Sequence, residues 1–270
     1  MRPPHFPWRF FILTFLLTWA FWIPAGFFLN NETLRTILHY TGGLTPTLVT
    51  LYLLYRYEKT TERKDFWQRF FDLKRISLGW YLIIFLTVPL LTLSGVVFDI
   101  LFGGNGLIAI SDTLQKPLLL LPFAPFIFVF GPLPEEIAWR GYALDKLQTK
   151  WNALVSSLIL GAAWTIWHLP LFFIIGTYQH GLGIDTPQFW LYMLDKIPMS
   201  VLMTWIFNNT KRSTASAVLF HFMVNFTGEL VDLTLQAEII YIAAWWFMAV
   251  IVMLIWKPQN LDDQLRRNII

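Results

Sequence analysis

The chain has no cysteine and little charge. Without cysteine there are no disulfides, no thiolate chemistry and no cysteine-ligated metals. Charged residues are 14% of the 270, against about 25% in soluble domains, whereas 56% are hydrophobic. Repeats, low-complexity tracts and linkers are missing too, so residues 1–270 are expected to form a single transmembrane domain. No basic stripe interleaves with polar surface, which gives no sign of a nucleic-acid partner. Two familiar hydrolase signatures are also absent: the HExxH helix of soluble zinc proteases and a nucleophile elbow followed by a Ser–His–Asp set.

What the chain does have is apolar sequence from end to end. Runs at about 10–29, 37–55, 78–101, 118–133, 153–175, 189–207, 214–230 and 239–256 predict an all-α, polytopic membrane helical bundle with about eight transmembrane helices. The first run is longer than a signal-peptide core and shows no small-residue cleavage site, so it reads as a retained span. Phe66, Trp67, Phe70 and Phe71 fall at helical spacing among the charges of residues 56–75. That pattern reads either as an amphipathic helix in the headgroup region or as a solvated cytoplasmic loop. Residues 141–150 are expected to continue as a short amphipathic helix. Asp195 and Lys196 fall inside the sixth run; being adjacent, they are expected to face different neighbours.

The distribution of positive charge gives an orientation. With the N-terminus inside, the cytoplasmic segments hold Arg2, Arg9, Arg56, Lys59, Arg63, Lys64, Arg69, Lys74, Arg75, Arg140, Lys146, Lys150, Lys211, Arg212, Lys257, Arg266 and Arg267. The outside loops hold only Arg35 and Lys116, so both termini are expected to be cytoplasmic.

Against this apolar background, a few polar residues stand out. Glu135 and Glu136 follow Pro134 at the end of the fourth run, and Arg140 lies four residues after Glu136. A charge at a helix centre in a bilayer costs about 2.5–3.5 kcal/mol on translocon scales, so such groups persist when paired or functional. Glu136 and Arg140 share a helical face with the acid on the N-terminal side, as an ion pair prefers, which leaves Glu135 free for chemistry. His221 and Asn225 have the same spacing, and so do Trp164 and His168. A carboxylate, two imidazoles and a carboxamide facing one cavity suit hydrolysis, with a base for water and donors for an oxyanion. The same set also admits a catalytic zinc, one divalent metal held by Glu135, His168 and His221.

Glu135-Glu136-x-x-x-Arg140, Trp164-x-x-x-His168 and His221-x-x-x-Asn225 together resemble the three-motif signature of the CPBP intramembrane proteases. That family is also called Abi and includes the type II CAAX prenyl endopeptidases. The surrounding Trp139-Arg140-Gly141-Tyr142 and Trp167-His168-Leu169-Pro170 are similar as well, whereas Trp164 stands where the family often has Phe. The resemblance extends over about residues 130–228 and puts a protease-like core at about 118–230. It implies that Glu135 and His168 activate water and that His221 and Asn225 stabilise an oxyanion, with Glu136, Arg140 and Trp164 supporting. It further implies a lipid bilayer as surroundings, a bacterial plasma membrane as location, and a membrane-embedded or lipidated protein or peptide, prenylated ones included, as substrate. Two other readings use the same intramembrane polar groups: a non-catalytic immunity or sorting protein, and a proton-coupled transporter. The transporter would typically show internal repeats, and none is visible.

Overall fold

The computed structural model describes residues 7–28 and 30–261. Arg2, Arg266 and Arg267, which entered the charge count, and Leu29, at the end of the first apolar run, lie outside the described residues.

Helices α1 (Trp8–Phe27) and α2 (Glu32–Tyr57) form an antiparallel hairpin. α2 begins ahead of its apolar run because the Asn31 side chain accepts a hydrogen bond from the Leu34 amide at 2.9 Å and satisfies a first-turn donor. Polar side chains then tie the hairpin together inside an apolar surround. The Trp22 indole donates to the His39 carbonyl at 2.8 Å, and the Thr18 and Thr45 hydroxyls bond to each other. Trp167, from a later helix, donates to Thr18 at 2.9 Å. Such bonds matter in a bilayer, where apolar surface gives helices little reason to prefer one another over lipid.

α3 (Thr60–Phe71) is the amphipathic segment, and it is helical. Its Phe66 and Arg69 are buried against the protein, while Trp67 stacks on a largely exposed Phe71. The solvated-loop alternative therefore fails, and one face of the helix is claimed by the bundle. α4 (Leu78–Leu101) leads to a short strand β1 (Leu107–Ile110).

The fourth apolar run does not form one helix. It breaks at Gly131 into α5 (Leu120–Phe130) and α6 (Pro132–Ala138), and α6 continues into a π-helical turn, Trp139–Leu144. Residues 141–144 and Leu147 are buried while Thr149 and Lys150 are exposed, so the expected amphipathic segment is helical as far as Leu147 with its apolar side in the core. α7 (Ala153–Trp167), α8 (Pro187–Asn209), α9 (Thr214–Gly228), strand β2 (Val231–Leu233) and α10 (Leu235–Trp256) complete the chain. β1 and β2 pair antiparallel, Leu107 opposite Leu233 and Ile110 opposite Val231, a small ribbon that the all-helical expectation lacked.

Among the described residues, 5 helical segments are fit by length and composition to cross a membrane: Trp8–Phe27, Leu78–Leu101, Leu120–Leu147, Ala153–Phe173 and Leu235–Trp256. The fold is thus a helical membrane bundle, but this measure does not reach the expected count of about eight. α2 and α8 are long but carry more polar residues, and α9 has 15 residues.

The bundle has two chemically different ends. At one, Arg75 donates to the Lys211 carbonyl at 2.7 Å, Lys146 pairs with Glu58 at 2.7 Å, and Arg212 bridges Asp145 and Asp65. At the other, Asp99 accepts from the Gly106 amide at 2.7 Å and from Thr234 at 2.8 Å, which pins the ribbon to α10.

Gly42 of α2 faces Trp22 of α1. A Cβ there would lie 2.3 Å from two atoms of the Trp22 indole, which is itself buried and bonded. About 100° further round the helix, Gly43 would meet nothing within 4 Å. Gly42→Ala is expected to cost about 1–3 kcal/mol through overpacking, read as a lower thermal midpoint in detergent. Gly43→Ala should not lower that midpoint.

Candidate active site

The motif residues meet around one buried ion pair. Glu136 and Arg140, both fully buried, are joined by Nη1 to Oε1 at 2.9 Å, one helical turn apart as their spacing requires. The same Glu136 oxygen lies 2.8 Å from His221 Nδ1. The Arg140 guanidinium lies 4.6 Å from the Trp164 ring centroid, so an aromatic face covers a cation that water cannot reach. The π-helical turn containing Arg140 is anchored from outside, where Arg69 donates to the Gly141 carbonyl at 3.1 Å. Single π turns of this kind are frequent at functional sites.

Glu135 points a different way. Its Oε2 accepts from the Trp164 indole at 2.7 Å, and Oε1 is left for the cavity that Glu135 lines. Trp164 is more than an aromatic wall: it orients the carboxylate, and phenylalanine, frequent at this position in the family the motifs resemble, could not donate that bond. On the same helix, His168 Nδ1 lies 2.7 Å from the Trp164 carbonyl. A carbonyl only accepts, so the proton sits on Nδ1 and Nε2 is an acceptor. His221 is held in the same sense by the Glu136 carboxylate. Both imidazoles thus have one nitrogen fixed by a neighbour and the other free. Edge contacts with Trp167 at 4.7 Å for His168 and with Trp164 at 5.1 Å for His221 fix the ring planes.

Glu135, Trp164, His168, His221 and Asn225 all line one cavity of about 430 Å³, within the ordinary range for ligand sites. The proposed zinc ligands fare differently as a set. Among the described residues, no group of three or more His, Cys, Asp or Glu side chains is gathered closely enough to hold a metal ion. Glu135, His168 and His221 share the cavity but do not fit a preformed zinc triad.

Several contributors were not anticipated. Trp22, His39, Tyr40 and Gly43 bring α1 and α2 into the cavity wall; His39, a histidine inside an apolar run, was the visible signal, and the other three had none. Asp195 and Lys196 line it too, and here the expectation is corrected: they bond to each other at 2.6 Å. The lysine stem is long enough to curl back along its own helix, and its ammonium comes to rest 3.6 Å from the Tyr192 ring centroid. Gly131, at the break between α5 and α6, is the remaining addition. A Cβ there would lie 2.9 Å from Asn225 Nδ2, so its missing side chain leaves room for the carboxamide. The Gly131-Pro132 pair was a visible sign of a break, but not of what the break makes room for.

Two outcomes follow from this packing. Arg140→Ala leaves the Glu136 carboxylate buried opposite only an imidazole and should cost about 3–5 kcal/mol, seen as loss of folded protein in detergent. Gly131→Ala should instead displace the Asn225 amide, the far end of a movable side chain. Turnover is expected to fall about ten-fold or more with the thermal midpoint nearly kept, which activity and melting measured on one sample would show.

Comparison with known proteins agrees with the motif geometry. Residues 117–227 match the family model described as type II CAAX prenyl endopeptidase Rce1-like. CAAX prenyl protease 2 of Methanococcus maripaludis is 28% identical over 260 residues, which span 92% of this chain and 93% of that protein. The motif-bearing segment is therefore similar to the Rce1-like, type II CAAX prenyl endopeptidases, and nearly the whole chain is similar to one protein named as such a protease.

Proposed function

We propose that this chain is an intramembrane endopeptidase that hydrolyses a peptide bond of a membrane-associated protein, with Glu135 activating the water. The observation that supports this most directly is the division of labour between the two adjacent glutamates. Glu136 is committed to Arg140 and His221 with no exposure, whereas Glu135 faces the cavity with one oxygen held by Trp164 and one free. A relative named as a CAAX prenyl protease makes a lipid-modified, prenylated chain the substrate class to try first.

Each step balances on this chain's own groups. Glu135 takes a proton from water as the water oxygen attacks the scissile carbonyl carbon. In this reading His168, whose Nδ1 is held by the Trp164 carbonyl, shares that proton at Nε2. The carbonyl oxygen becomes an oxyanion, for which Asn225 supplies an amide N–H. His221 donates to it from Nε2 only as imidazolium, with Glu136 as counter-ion. When the C–N bond breaks, protonated Glu135 returns the proton to the leaving amine. General base catalysis of this kind contributes about 10²–10⁴-fold, and each oxyanion donor about 10²–10³-fold. No step is routed through a metal.

The charges also balance locally. Glu136 is answered by Arg140 and Asp195 by Lys196, so the net charge of the site depends on Glu135 and the two imidazoles.

Glu135→Gln keeps shape and the Trp164 bond but removes the base. We expect Glu135-dependent cleavage products, read as new chain ends by mass spectrometry of membranes, to vanish while the protein remains folded. Persistence of those products at the wild-type level would refute the mechanism. If wild type and variant give the same membrane proteome, with both well expressed, a non-catalytic immunity or sorting role replaces the proposal.

A further inference from the structure

We propose that Tyr192 is a substrate-binding residue: its phenol hydroxyl donates a hydrogen bond to a main-chain carbonyl of the peptide in the cavity, beside the one to be cut. Gln179, the Asp195–Lys196 pair and the His168 ring hold it for that purpose. This deepens the endopeptidase reading and rests on it for the identity of the bound chain.

The direction of one hydrogen bond carries the inference. Tyr192 of α8 is more than nine-tenths buried and lines the cavity together with Glu135 and His168. Gln179 Nε2 donates to its oxygen at 2.9 Å. An amide nitrogen only donates, so the phenol oxygen is the acceptor there and its own proton is left over. Among the described residues, Tyr192 forms no bond in which it is the donor. A buried donor without an acceptor is costly, and this one borders a void in which a ligand can supply the acceptor.

The neighbours fix the ring and strengthen the donor. Tyr192 meets His168 at 5.8 Å and Phe172 at 5.4 Å, both rings nearly perpendicular to its own. Lys196, one turn along the same helix, sets its ammonium 3.6 Å from the Tyr192 ring centroid, and Asp195 holds that ammonium at 2.6 Å. A cation over an aromatic face draws on the ring's electrons, which makes the attached O–H a better donor. The adjacent charges at 195 and 196 thereby gain a task beyond balancing each other. The neighbourhood also indicates what accepts the proton. Tyr192 stands beside His168, on the side of the base, whereas His221 and Asn225 supply the oxyanion donors from α9. An extended peptide brings further carbonyls that lose their water on entry and need partners, and Tyr192 answers one of them.

The test measures binding of a fluorescent S-prenylated cysteine peptide to the Glu135→Gln protein in lipid nanodiscs. It is run at about pH 8.5, well above the usual glutamate range. Adding Tyr192→Phe should weaken binding about three- to ten-fold, the worth of one neutral hydrogen bond. Gln179→Glu should weaken it as much, because an ionised carboxylate accepts the Tyr192 proton for itself. Gln179→Leu removes the tie but leaves that proton free, so it should weaken binding far less. A Tyr192 that only latched the 176–183 connection would give the reverse order: Gln179→Glu close to the parent, and Gln179→Leu as weak as Tyr192→Phe. That order overturns the proposal, and so does unchanged binding in Tyr192→Phe or no saturable binding of the peptide at all. Should Tyr192→Phe lower the thermal midpoint, the two Gln179 variants decide alone. Binding needs no turnover, so the cleavage reading stands or falls separately, on Glu135-dependent chain ends. Where such cutting is seen, Tyr192→Phe should raise KM by the same factor and leave kcat nearly unchanged. A fall confined to kcat would put the hydroxyl on the oxyanion and overturn the assignment.

Discussion

A carboxylate with no exposure, Glu136, sets the terms for everything near it. In so poor a dielectric it is tolerable only with close partners, and it has two: Arg140 at 2.9 Å and His221 at 2.8 Å. Each partner imposes a demand of its own. Arg140 needs cover on its faces, which Trp164 supplies, and it rides on a π-helical turn that Arg69 of α3 holds from outside. His221 needs α9 to lie against α6 at one height, which in turn sets the height of Asn225 one turn further on. The supporting pair thus fixes the register between the helices that carry the chemistry.

Trp164 connects the buried charges to the reactive ones. Its ring faces Arg140, its indole N–H holds Glu135, its carbonyl fixes the tautomer of His168, and its edge meets His221. One side chain and its own backbone therefore orient a base, an acceptor and a donor without touching substrate. Rigid positioning of this sort is what general base and oxyanion catalysis need, because both fall off quickly with misplacement. The Asp195–Lys196 pair completes the wall as a neutral unit, so the cavity gains polarity there without gaining net charge.

The two ends of the bundle divide the remaining work. The basic end is cross-linked by ion pairs among α3, the turn after α6 and the loop before α9, and it closes the core. The ribbon end is held by hydrogen bonds around Asp99 and leaves the cavity open.

The sequence by itself determined the membrane setting and the helical class, and it singled out Glu135, Glu136, Arg140, Trp164, His168, His221 and Asn225. Low charge and long apolar runs allow little else, and intramembrane Glu, Arg and His are too costly to be incidental. The spacing of Glu136 and Arg140 determined their pairing, because a helix brings residues four apart together whatever surrounds it. Contacts between distant segments had no such local rule. The sequence could not assign His221 to Glu136 or Trp164 to Glu135, nor bring Tyr40 to the cavity, since each depends on how separate helices dock. It misplaced Asp195 and Lys196, whose pairing turns on a rotamer and not on helical phase. It read residues 141–150 as a short amphipathic helix, but could not show that Asp145 and Lys146 would meet charged partners on other segments. Only the tertiary structure decided which way the cavity opens. A void is a property of packed helices and has no signature in any one of them.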